Sequence, residues 1–278
     1  MSMKNILWAC DFYEDSLFAG QIAADIAVRT GAILHAVHIL RPPFRHEKDV
    51  AAWLERKKAL EARLKSTAGE LAKKGIGVSY EVIESDGTGK AILGHAERLG
   101  VDMIAMGRAG LPGEVGYAGS TVRQVLQATK RPLLLARGMG MIPKIDRILV
   151  TTDLSGPSFV ALDLALALAR AFSVPVHLLF VYEYADVPPT PEEMDKALDE
   201  LRLAVRERGL SEGEVKPEVI SHQESGDGIA KYITKNNIPL TVMSSRGASG
   251  IERWLLGSTT ERVIKLSPWP LIVVKEQW

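Results

Sequence analysis

Cysteine is almost missing from this chain: Cys10 is the one cysteine in 278 residues. An internal disulfide is therefore excluded, and the usage fits a reducing compartment. Net charge is missing too, with 34 Lys and Arg against 34 Asp and Glu, which argues against a broad basic surface for duplex nucleic acid or anionic lipid. No long hydrophobic run occurs. The longest strongly apolar stretch, 159–172, carries Asp163 and Arg170 and is too short to span a bilayer. The first residues show no extended apolar segment leading to a small-residue cleavage site. The expectation is a cytoplasmic protein with neither a membrane nor a nucleic acid as partner.

Several chemistries lack their residues as well. His35 and His38 stand three apart on an expected strand, hence on opposite faces, and no Cys/His spacing resembles a zinc site. No Ser-His-Asp order or paired-carboxylate arrangement stands out in the sequence. Cys10 has two readings, a reactive thiol at a strand end and a buried inert one.

What the chain does have is apolar content for a core, 46% hydrophobic with 24% charged, which is the balance of a globular protein. Periodicity gives strands at 5–10, 32–40, 78–83, 101–106 and 132–136, alternating with helices at 14–29, 49–74, 90–99 and 121–129. After Gly138 to Pro143 the pattern restarts. Strands at 147–152, 176–182, 215–220, 240–243 and 271–275 alternate with helices at 157–172, 191–208, 228–235 and 259–266, Ser155 being the expected N-cap of the first of these. Asp11 matches Asp153 at a shift of 142, and Gly119-Ser120 matches Gly257-Ser258 at 138, as does Pro132 with Pro270. A nearly constant shift is the mark of a duplicated domain. The expected division is 1–138, a linker at 139–143, and 144–278. Alternating strands and helices imply α/β domains, each a doubly wound five-stranded parallel sheet with helices on both faces. Their ligand site lies at the carboxyl ends of the strands.

Two stretches carry the chemistry. Met243 to Ser258 reads M-S-S-R-G-A-S-G-I-E-R-W-L-L-G-S, and Met106 to Ser120 reads M-G-R-A-G-L-P-G-E-V-G-Y-A-G-S. Each runs from a strand through small residues into a helix start, an arrangement suited to phosphate because backbone N–H groups and the helix dipole face the anion. No Walker-type lysine follows either loop, so nothing obvious holds a β/γ-phosphate for transfer. Arg246 and Arg253 read either as neutralising phosphate or as solvated surface arginines.

At these residues the chain resembles the universal stress protein family in a tandem form, a fold of the Rossmann-like, adenine nucleotide alpha hydrolase-like kind. That family's loop is a glycine, two residues, a glycine, nine residues, then Gly-Ser or Gly-Thr. The second half keeps the spacing from Ser244 through Gly247 to Gly257-Ser258 but has Ser244 for the first glycine; the first half keeps Gly107 and Gly110 but reaches Gly119-Ser120 after eight residues. If the first glycine needs a positive φ, Ser244 is strained there; if it needs only smallness, Ser244 is harmless.

The resemblance implies an adenine nucleotide ligand, ATP with or without Mg2+. Asp153 and Asp11 would meet its ribose or adenine side. Val181 and Ile39 would present backbone groups to the base. Gly247, Gly257 and Ser258, with Ser244 in the first glycine's place, would hold ribose and phosphates in the second half, as Gly107, Gly110, Gly119 and Ser120 would in the first. Without that frame, a strand-end aspartate reads as a cap or turn residue. The resemblance also implies pairing through the last strands, within one chain as a pseudo-dimer or between two chains. The expected function is a nucleotide-binding sensor or regulator, best preserved in the second half. A slow nucleotide hydrolase and a scaffold or apolar-ligand binder are the alternatives.

Overall fold

The computed structural model describes residues 3–42, 50–108, 119–138, 140–245 and 256–275. The chain divides into two compact units, Met1–Ile142 and Pro143–Trp278. The first contains β1 (Asn5–Ala9), α1 (Glu14–Thr30), β2 (Ile33–Leu40), α2 (Val50–Ala72), β3 (Val78–Glu84), α3 (Thr88–Arg98), β4 (Met103–Gly107), α4 (Ser120–Ala128) and β5 (Leu133–Ala136). Its strands lie in the order β3-β2-β1-β4-β5, and the neighbours pair in parallel. The second contains β6 (Ile148–Thr152), α5 (Gly156–Phe172), β7 (Val176–Glu183), α6 (Pro191–Glu207), β8 (Val215–His222), α7 (Ser225–Lys235), β9 (Thr241–Ser244), α8 (Ser258–Leu266) and β10 (Leu271–Val274). Its order, β8-β7-β6-β9-β10, repeats the first, again in parallel. In the first unit α1 packs beside α2 and α3 beside α4, and in the second α7 packs beside α8. Among the described residues no helix is long and apolar enough to cross a membrane.

The registers show how alike the halves are. Ala9 pairs with Val37 in the first unit, and Thr151 with Leu179 in the second. The central strands β1 and β6 are buried on both faces, with Ile6, Leu7, Trp8, Ile148, Leu149 and Val150 at 0% exposure, as strands covered by two helix layers must be. The winding reverses between β1 and β4, and between β6 and β9, which opens a crevice beyond the strand ends there.

Two helices start earlier than their glycines suggest. The sequence places α3 from residue 90 and α7 from 228, yet they begin at Thr88 and Ser225. Tertiary packing overrides the low helix propensity of glycine. A Cβ on Gly89 would stand 2.3 Å from the Gln124 side chain, and one on Gly226 would stand 2.6 Å from Arg262. The glycines let α4 and α8 cross closely over these first turns, and Arg262 then forks onto Asp227 at 2.8 and 3.1 Å. The early starts bring Thr88 and Ser225 to the crevice.

Candidate functional site

Each unit has a cavity at its reversal point, of about 450 Å³ in the first and about 310 Å³ in the second. Both lie within the range of small-molecule pockets, about 300–1,000 Å³. The first is lined by Asp11, Ile39, Gly107, Gly119 and Ser120, residues drawn from four separate parts of the chain. The second is lined by their counterparts Asp153, Val181, Ser244, Gly257 and Ser258. Gly110, Arg246 and Gly247, with Arg253, lie outside the described residues.

The two aspartates sit in the same local geometry. Tyr13 donates its N–H to Asp11 Oδ1 at 2.9 Å, and Ser155 donates its N–H to Asp153 Oδ1 at 3.1 Å. The turn role and the cavity position therefore coexist in one side chain. The next residue, Phe12 or Leu154, has a left-handed backbone (φ 67° and 62°), a cost of about 1–3 kcal/mol for a non-glycine residue that surrounding contacts must hold. For Phe12 those contacts are visible. His38 stacks at 4.7 Å between ring centroids, and the Arg63 guanidinium lies 4.3 Å from the ring. His38 Nδ1 in turn donates to the Cys10 carbonyl at 2.8 Å.

The supports of the two carboxylates differ. Ser16 in the first turn of α1 donates to Asp11 Oδ1, whereas Asp153 receives the Ser155 hydroxyl. Ser155 is thus the N-cap of α5 by position, but its hydroxyl is turned onto Asp153 and caps no helical N–H. Ser158, which stands where Ser16 does, shares a 2.8 Å hydrogen bond with Thr152 and donates to the Ser155 carbonyl. The Cys10 thiol is buried and pushed up to about 12 by that burial, so it stays protonated at neutral pH and is a poor nucleophile.

The phosphate-type loops are anchored alike. Gly119 donates its N–H to the Arg108 carbonyl, and Gly257 donates to the Ser245 carbonyl. The stretches between these anchors, 109–118 and 246–256, differ by one residue in length. Thr260 adds a bond from its hydroxyl to the Ser244 carbonyl at 2.9 Å, tying α8 to the end of β9. A glycine N-cap offers no side-chain acceptor, so the first-turn N–H groups of α4 and α8 are left for solvent or an anion.

The open question over Ser244 resolves toward smallness. Neither Gly107 nor Ser244 has a left-handed backbone. A Cβ on Gly107 would stand 2.7 Å from the Ser16 nitrogen and 2.9 Å from Asp15. Glycine is needed in the first half because α1 starts so close to β4. Just beyond it, Arg108 is buried, and burial together with nearby Arg137 pushes its guanidinium down to about 10.

Sequence reasoning missed several lining residues. Arg41 and Arg56 face the first cavity, Arg41 with its Nε 3.4 Å from the Thr88 hydroxyl; Glu183 and Ser225 face the second, bonded to each other at 2.5 Å. The one available signal for Arg41 and Glu183 was position, since each lies two residues beyond Ile39 or Val181.

Comparison with known proteins agrees with this architecture. A universal stress protein of Methanocaldococcus jannaschii is 29% identical over 143 residues, covering 47% of this chain and 82% of the relative. Universal stress protein YxiE of Bacillus subtilis is 30% identical over 149 residues, covering 47% of this chain and 99% of the relative. The crystal structure of a universal stress protein from Archaeoglobus fulgidus covers 99% of this chain and 100% of its own, with a TM-score of 0.77 at 21% identity, a likeness of fold. The Universal stress protein family profile matches residues 3–137 and again 144–275. With nearly the whole length accounted for by two copies of one domain, the chain belongs to the universal stress protein family.

Proposed function

We propose that this protein binds an adenine nucleotide, ATP or a close relative, as a sensor or regulator, with the cavities at the two reversal points as its sites. The observation that carries the reading is the repeated gathering of a strand-end aspartate, a second-strand residue and a Gly-Ser helix start around one cavity. In a doubly wound sheet this is where nucleotides sit. The helix start supplies N–H donors for phosphate, and the aspartate supplies an acceptor for a ribose hydroxyl. Ligand in the cavity would bridge the strand ends to the first turns of α3 and α4, or of α7 and α8, and so favour one arrangement of these elements.

The test is direct. The purified protein is examined by mass spectrometry for copurified nucleotide and titrated with ATP by calorimetry. Gly119→Trp and Gly257→Trp, each filling one cavity mouth, should each remove the binding that belongs to its half. Wild-type protein that takes up no adenine compound at millimolar concentration would end the proposal.

A further inference from the structure

The two cavities share a frame and differ in charge at one equivalent place. Arg41 stands two residues beyond Ile39 on the first unit's second strand; Glu183 stands two residues beyond Val181 in the second unit. Their helix partners are equivalent too, since Thr88 opens α3 and Ser225 opens α7. In the first half the hydroxyl accepts from Arg41 Nε at 3.4 Å; in the second the hydroxyl donates to Glu183 Oε2 at 2.5 Å. One position thus carries a guanidinium in one copy and a carboxylate in the other, each tied to the same helix start.

The rest of the lining extends the contrast. Among the described residues the first cavity also has Arg56, from the early turns of α2, and one carboxylate, Asp11. Among the described residues the second has two carboxylates, Asp153 and Glu183, and no basic side chain. The helix that answers α2 begins at Pro191, and it contributes no lining residue. A guanidinium attracts phosphate and donates to it in a fork; a carboxylate repels it and accepts from hydroxyl and amino groups.

We propose that the two halves sort adenine compounds by charge. The first retains polyphosphate forms and the second takes forms with little or no phosphate, and the residue at 41 or 183 sets the difference. This rests on the nucleotide reading above and narrows it. It also moves the polyphosphate site to the half whose loop is one residue short, against the expectation from loop spacing alone. A double site of this kind would let one chain respond to the ratio of charged to uncharged adenine compounds.

The experiment is a calorimetric comparison of ATP with adenosine on the full chain. Gly257→Trp isolates the first cavity and Gly119→Trp the second. In the first cavity, Arg41→Glu should lower the ATP-to-adenosine affinity ratio by about tenfold or more, and Arg41→Lys should retain most of it. In the second, Glu183→Arg should raise that ratio by about as much, whatever the arginines of its loop contribute. Arg41 and Glu183 are exposed, so folding is not at stake, and a melting curve checks it. ATP binding in the first cavity should also weaken steeply with added salt, and adenosine binding in the second should not. If both substitutions leave the ratios unchanged, or if the second cavity prefers ATP in wild type, charge sorting is wrong while nucleotide binding stands. If neither compound binds wild type, both readings fall together.

Discussion

Ser16 and Asp11 are joined by a hydrogen bond from the serine hydroxyl to Oδ1, and the Asp11 N–H returns to the same hydroxyl at 3.2 Å. The serine is itself fixed, because Trp8 Nε1 donates to its carbonyl at 2.7 Å. A core indole therefore sets a helix turn, and the helix turn sets the carboxylate at the cavity. Ser16→Ala should cost about 1–2 kcal/mol, the usual loss for a buried hydrogen-bonding hydroxyl. It should also weaken ligand binding in the first cavity. Ser158→Ala should leave Asp153 in place, since Ser155 holds that carboxylate. Urea denaturation and titration of each variant check the pair; equal effects on both cavities would contradict it.

The glycines of the helices divide by what lies above them. A Cβ on Gly20 of α1 would meet the Trp8 ring at 2.4 Å, while one on Gly69 of α2 would meet nothing within 4 Å. Gly20→Ala should destabilise by about 1–3 kcal/mol through overpacking against a fully buried indole. Gly69→Ala, exposed and in the last turn of α2, should stabilise by about 0.4–1 kcal/mol. Opposite signs in urea midpoints are the expected result.

The first helix of each unit ends on a left-handed residue. It is Gly31 (φ 74°) after α1 and Ser173 (φ 58°) after α5. Glycine adopts this conformation without the Cβ penalty that serine meets. Ser173→Gly should stabilise the protein by about 1 kcal/mol, and Gly31→Ser should destabilise it by about the same. Thermal melts of both variants read this directly.

Stability should fall with acid in a window set by histidine. Burial holds His35, His38 and His95 below the ordinary value of 6.5. The unfolded chain then binds protons before the folded one, so their contribution is complete above about pH 6.5 and is lost as pH drops through the lowered folded values. The urea midpoint at about pH 5.5 should lie below that at about pH 7.5. His38→Gln should flatten the dependence; a midpoint that does not fall on acidification contradicts the sign.

Much of the fold was legible because duplication repeats its evidence. The alternation of strands and helices, the restart after Pro143 and the matched Asp11 and Asp153 rest on local pattern, and local pattern survives in sequence. The early starts of α3 and α7 were not legible. Gly89 and Gly226 look like helix breakers until Gln124 and Arg262, distant in sequence, are seen crossing them. The Ser155 hydroxyl likewise reads as a cap and proves to serve Asp153, since both roles suit a serine at that position.

The sequence alone determined the two-copy α/β design, the loop positions and the aspartates that end the first strands, because each follows from periodicity or spacing within one segment. Tertiary structure decided what the spacing meant. It showed that Gly107 is small for the sake of α1, and that loops of unequal length start and end on the same hydrogen bonds. It also showed that Arg41 and Glu183 take one place with opposite charge. These facts depend on which helix start lies against which strand end, and that is fixed by packing between elements far apart in the chain.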